Sequence, residues 1–192
     1  MDEKDRIAEE IKALIATAEE KKGLEFRQQL EEIVEDGEED AEYAVIHYLG
    51  DDDLKYEIRS EIIRVAGYLQ RPAFLVPLKK IIDLEPNHRL QQEAIIAISK
   101  FNDRRALNVL NGALQKVKDP ILQRVINAEI SRIKENNPLL ALIPRFQEGQ
   151  SNQKTFKVTL DILKRILTPA DAGIFAKFLG SKDPLVQNGA FE

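Results

Sequence analysis

Two histidines, His47 and His88, are the first residues to weigh for chemistry, since imidazole serves both as a general base near neutral pH and as a metal ligand. A zinc site needs three or four nitrogen, sulfur or oxygen ligands in close array, and the chain has no cysteine to complete one. The histidines lie far apart in sequence, with no His-x-x-x-His spacing, and both read as helix-boundary residues. Carboxylates are plentiful in Glu31-Glu32, in Glu35-Asp36-Gly37-Glu38-Glu39-Asp40 and in Asp51-Asp52-Asp53. A carboxyl pair about 5–9 Å apart could run acid–base hydrolysis. Adjacent acids in polar runs instead read as solvated turns, and Asp51 to Asp53 are placed to cap the helix containing Ile58. The 35–40 run lacks the Asp-x-Asp-x-Asp-Gly order of a calcium loop. Ser60, Ser99, Ser131, Ser151 and Ser181 stand outside any Gly-x-Ser-x-Gly, and no glycine-rich phosphate loop is present. The expectation is a non-enzymatic protein with no catalytic residue, no metal and no cofactor.

Cations offer a second kind of chemistry. Lys79-Lys80, Arg104-Arg105, Lys116, Lys118, Arg132, Lys134 and Lys164-Arg165 fall within residues 71–168. A basic stripe there could follow a nucleic-acid backbone, with affinity falling steeply as salt rises. Charge is laid out unevenly: residues 1–54 carry 19 Asp/Glu and 6 Lys/Arg, a net of −13. Residues 55–192 carry 14 and 22, a net of +8, which recovers the overall −5. That acidic total favours solvated helix faces, so nucleic acid ranks behind protein as the partner. The same stripe could dock the acidic segment 31–53 of another copy.

The elements that position these side chains are legible in the apolar pattern. Every thirty-second residue gives Leu14, Ile46, Leu78, Leu110, Leu142 and Ile174. Three positions earlier stand Ile11, Tyr43, Leu75, Leu107 and Leu139, with Asp171 in the last copy, and four later Ile82, Leu114, Phe146 and Phe178. Offsets of three and four place these registers on one helical face. A second set follows about 12 residues downstream: Phe26, Ile58, Leu90, Leu122, Phe156 and Val186, then Leu30, Ile62, Ala94, Ile126, Leu160 and Ala190 four on. Each unit is therefore two amphipathic helices. Pro72, Pro138 and Pro169 sit near the starts of first helices, and Asp119-Pro120 and Asp183-Pro184 offer an N-cap followed by Pro at second helices. Strand signals are missing.

The entries Asp119-Pro120-Ile121-Leu122-Gln123 and Asp183-Pro184-Leu185-Val186-Gln187, with Ala and Ile every three or four residues after them, resemble HEAT repeats. The short period is similar to the bacterial HEAT-like units related to phycobilisome-lyase repeats. The position often Arg in that family is Arg27, Arg59, Gln91, Gln123, Lys157 and Gln187 here, which dilutes the motif. The resemblance implies an all-α, right-handed superhelix, a solenoid of about six hairpins, at approximately 2–37, 39–70, 71–102, 103–136, 137–168 and 169–192, within one domain, 1–192. It also implies a scaffold function. HEAT-like DNA glycosylases stack the lesion on Trp, and this chain has none.

In such architectures first helices line the convex side and second helices the concave side. Outward positions of the second helices include Arg64, Gly67, Gln92, Ile96, Ser99, Arg124, Ser131, Val158, Ile162 and Arg165, a mixture suited to a peptide or protein partner. The last unit stops early at Glu192, as a piece of a longer protein would. It concentrates Phe175, Phe178, Leu179, Leu185, Val186 and Phe191, expected to face solvent or a second copy in a homodimer. No apolar run approaches the roughly 20 residues of a membrane span, and the acidic start Met1-Asp2-Glu3 is no signal peptide, so the expected place is the cytoplasm.

Overall fold

The computed structural model describes residues 3–18, 23–167, 175–176 and 178–191, and among these all regular structure is helical, with no strand. The helices described in full are, in order, α1 (Glu3–Ala16), α2 (Gly23–Asp36), α3 (Glu38–Leu49), α4 (Tyr56–Leu69), α5 (Leu75–Leu84), α6 (His88–Lys100), α7 (Arg104–Lys116), α8 (Pro120–Asn136), α9 (Pro138–Gln147), α10 (Gln153–Ile166) and α11 (Pro184–Phe191). Short 3-10 turns at Pro72–Phe74 and Gly149–Asn152 precede α5 and α10. None of the described helices is long and apolar enough to cross a membrane. The chain divides into two compact units, residues 1–133 and 134–192.

In the first unit helices pack on their chain neighbours, α1 on α2, α3 on α4 and α5 on α6, and also on the helix two places on: α1 on α3, α3 on α5, α5 on α7, and α2 on α4, α4 on α6. The second-helix register explains this order. Phe26, Ile58, Leu90 and Leu122 are all buried, as are Leu30, Ile62, Ala94 and Ile126 one turn on. Each helix thus presents the same apolar row to its neighbours. Gly67 is what lets α4 approach α6 closely, because a Cβ built there would lie 2.6 Å from Ala97 Cα. The turns leaving α4 and α6 repeat too, with Gln70 and Asn102 both left-handed at φ 53° and 50°.

First helices follow their expected register except in α3, with Leu114 and Leu139 half-buried at its edges. Leu14, Leu78, Leu110 and Leu142 are buried, and Ile174 lies outside the described residues. In α3, however, the buried residues are Ala41, Val45 and Leu49, while Tyr43 is 62% exposed and Ile46 is half-buried. The helix is turned by one position. Its cause lies at the α2–α3 junction, where Gly37 alone separates the helices and packs against Ile7 and Ala41. Small Ala41 can lie in that crowded corner, whereas Tyr43 keeps its hydroxyl outside.

Helix starts follow the polar punctuation. Asp119 Oδ1 accepts from Ile121 N and Leu122 N at 2.7 and 3.0 Å, and Asp183 Oδ1 from Leu185 N at 2.9 Å. Asn87 and Asp103 cap α6 and α7 in the same way. The Asp51–Asp53 run does not: α4 follows Lys55 with no side-chain cap. Asp51 Oδ1 instead takes Asp53 N at 3.0 Å, closing a turn on itself. Pro138 opens α9 as expected, and Pro169 is outside the described residues.

In the second unit α9 packs on α10, and the 149–152 turn meets both α10 and α11. Gly149 takes φ 48°, and a Cβ there would run into the Asp183 carboxylate and Val186. The core is aromatic. Phe146 lies 5.2, 5.4 and 5.5 Å, ring centre to ring centre, from Phe156, Phe175 and Phe178.

Candidate interaction face

In the unit of residues 1–133, the polar rows of α2, α4 and α6 meet beside the buried ones. Arg64 Nη1 donates to Glu61 Oε1 at 2.7 Å on its own helix. Its Nη2 and Nε fork onto Glu93 Oε1 and Oε2 of α6, at 2.6 and 3.2 Å. Arg27 of α2 approaches both Glu31 Oε1 and Glu61 Oε2, at 3.9 Å each. Three successive second helices are therefore linked by alternating charge. The fork to Glu93 pushes Arg64 above its usual pKa, so the guanidinium stays charged. Burial pushes the Glu31 carboxyl up, while Arg27 pulls it back down.

The residues expected on this face divide into two groups. Ile96 is 38% exposed and Gln92 half-buried on α6, and Arg124 and Ser131 are exposed on α8. In the second unit Ile162 and Arg165 are exposed on α10, with Val158 at 56%. Arg64 is half-buried and held by its two glutamates. Ser99 corrects the expectation: it is fully buried, donates to Ile96 O at 2.7 Å and accepts from Arg132 Nη2 of α8. It stands next to buried Ile98, at the edge of the inner row, where a small side chain admits the arginine. Gly67 is likewise buried against Ala97.

Gln91, Gln123, Gln187 and Arg59, near the starts of their helices, act as clamps. Gln91 Nε2 donates to Ile82 O at 2.9 Å, Gln123 Nε2 to Val117 O at 2.8 Å and Gln187 Nε2 to Leu179 O at 2.8 Å. Each ties the first turn of a second helix to the chain that precedes it. Arg59, the arginine version, is nearly buried and pairs with Glu85 Oε2 at 2.7 Å and Asp52 Oδ1 at 3.2 Å.

Basic side chains in residues 71–133 are partly neutralised. Lys79 and Lys116 share Asp83, Arg105 pairs with Asp103 and Arg132 with Glu129. Lys80, Arg89, Arg104, Lys118 and Arg124 are exposed. His47 is exposed on α3, and His88 Nδ1 lies 3.3 Å from Asp119 Oδ2. Among the described residues no three His, Cys, Asp or Glu side chains gather as a metal site would require. An apolar groove between α3 and α5, of about 630 Å³, was not anticipated. Val76 and Leu84 on its rim, 77% and 69% exposed, fall outside the buried registers, and that mismatch was the available signal.

The C-terminal aromatic cluster is also a correction. Phe175, Phe178 and Val186 are 6, 7 and 3% exposed, packed with Phe146, Phe156 and Leu163 inside the second unit. Leu179 is half-buried. These side chains are core residues of the single chain, because α11, though short, returns across Phe146 and Phe156 at Gly189. Among known proteins, no family model matches this sequence and no curated protein does.

Proposed function

We propose that residues 1–133 form a stretch of right-handed, HEAT-like α-solenoid, and that the chain is a non-enzymatic scaffold binding a peptide or protein along α2, α4, α6 and α8. The observation that supports this reading is the stacking order, α2 on α4 on α6 beside α1 on α3 on α5 on α7. Hairpins that pack on successive neighbours leave long outer faces of the kind solenoids use for partners. On this face Ile96 offers an apolar contact and Arg124 a free-standing charge, flanked by the Arg27–Glu61–Arg64–Glu93 ladder. A ladder already paired within itself favours a polypeptide, whose own dipoles and side chains can insert between pairs.

Peptides selected by display on the intact chain test the reading. Ile96→Asp is expected to weaken them about tenfold or more, and Arg124→Glu several-fold. Peptides indifferent to both changes would sink it. Tight binding of an oligonucleotide that collapses between 50 and 200 mM salt, values set by the usual counterion dependence, would favour the nucleic-acid alternative across residues 71–168.

A further inference from the structure

The first helices of residues 1–133 carry their charge in two blocks. Residues 38–54, which hold α3 and the turn after it, contain seven Asp/Glu and no Lys/Arg. Residues 104–118, which hold α7, contain four Lys/Arg and no Asp/Glu, and residues 71–84, which hold α5, contain three against one. The sign of the charge therefore changes between α3 and α5. The apolar groove lies on that line, lined by Ile46, Leu49 and Asp52 on the acidic side and by Val76, Lys80 and Leu84 on the basic side. Val76 and Leu84 stand well out of the protein, and so does Tyr43 on α3. Some charges are matched within the chain, Glu42 by Arg71 and Lys79 by Asp83, while Glu39, Asp53 and Lys80 are exposed.

We propose that this face docks a second copy of the chain, about a two-fold axis running along the groove. The order of charge selects that occupant. A peptide of one sign is repelled by one side or the other, and a foreign partner must carry both signs in the reverse order. A second copy does so by symmetry. A two-fold along the groove lays each α3 on the partner's α5, so acid meets base twice over. Val76 and Leu84 leave water against the other copy's α3, where the partner's Tyr43 and the partner's Ile46 are the apolar groups that receive them. A face two helices wide belongs at the small end of specific contacts, about 1,200 Å² in all, so the dimer dissociates on dilution. The inference uses α3 and α5 and is independent of the binding proposed along α2, α4, α6 and α8.

Sedimentation equilibrium of the whole chain across the micromolar range tests it. The expected result is a reversible monomer–dimer equilibrium that weakens several-fold as salt rises. Val76→Glu changes an exposed side chain, and should weaken the dimer about tenfold or more with the helical circular dichroism unchanged. Two charge reversals make the decisive pair. Glu39→Lys with Asp53→Lys turns the acidic side basic, and Lys79→Glu with Lys80→Glu turns the basic side acidic. Each reversed chain alone should be monomeric, and an equimolar mixture of the two should form a heterodimer, a rescue that no folding defect imitates. A wild-type chain that stays monomeric gives the groove to a different occupant and overturns the proposal. So does a dimer indifferent to Val76→Glu, or a mixture of the two reversed chains that stays monomeric.

Discussion

Arg59 and Glu85 meet at 2.7 Å with side chains only 8% and 5% exposed, so each buried group finds its partner in the other. Removing one partner strands the other. Arg59→Leu or Glu85→Ala should each cost about 3–5 kcal/mol in urea unfolding, whereas the joint replacement Arg59→Met with Glu85→Leu should recover most of that loss. A Glu85→Ala variant as stable as wild type would show that Asp52, which also reaches Arg59, holds the guanidinium alone. Leu110 is a simpler case. It is 0% exposed, and Leu110→Ala should cost about 2–5 kcal/mol, while Glu135→Ala at the exposed end of α8 should cost almost nothing. Asp119 connects stability to pH. Hydrogen bonds from Leu122 N and Ile121 N hold its carboxyl below the ordinary range, with His88 adding to the effect. A lowered folded value means the contribution is complete above the unfolded carboxylate value of about 4 and is lost as pH falls below it. Asp119→Asn keeps a cap but cannot titrate. Its stability should therefore decline less steeply than wild type on acidification, read by thermal melts across that window.

At the scale of the helix, Gly67 sets two effects against each other. In an exposed helix interior Gly→Ala gains about 1 kcal/mol from backbone propensity. Here the new methyl would sit 2.7 Å from Ala97 Cβ and closer still to its Cα, so α4 and α6 must separate. Overpacking of that kind costs about 1–3 kcal/mol, and Gly67→Ala is expected to lower the melting temperature. A higher one would mean the helices slide apart freely. The same helices show how much of the packing spacing alone specifies. The spacing puts Phe26, Ile58, Leu90, Leu122, Phe156 and Val186 at one recurring apolar position, and each is buried within its own unit. Spacing succeeds there because a helix repeats its faces regularly. It misled at Tyr43 and Ile46, where the one-residue junction at Gly37 rotates α3, an effect set by the turn and invisible to a fixed period. Arg64 was legible as an outward residue; its capture by Glu93, 29 residues on, was not, because pairing across helices depends on which rotamers face each other. Ser99 was misread for a related reason: the arginine that covers it comes from the next hairpin.

For the molecule as a whole, the aromatic cluster of residues 134–192 is the feature whose loss should be most visible. Phe178→Glu would put a charge among Phe146, Phe175 and Val186, and amide protection within 134–192 should fall while light scattering reports no change in mass. A change in mass with protection intact would move Phe178 from core to interface. The stacking of residues 1–133 has a consequence in time. Its helices pack on those one or two places away along the chain, so few segments must wait for distant ones before they find their partners. Low separation between contacting residues goes with rapid folding, in the microsecond to millisecond range for helical domains. It also permits order of assembly to follow order of synthesis: once residues 1–69 have left the ribosome, α1 to α4 have all their mutual contacts within reach. A nascent chain arrested beyond that point should already resist protease in its first hairpins, long before α10 has been made.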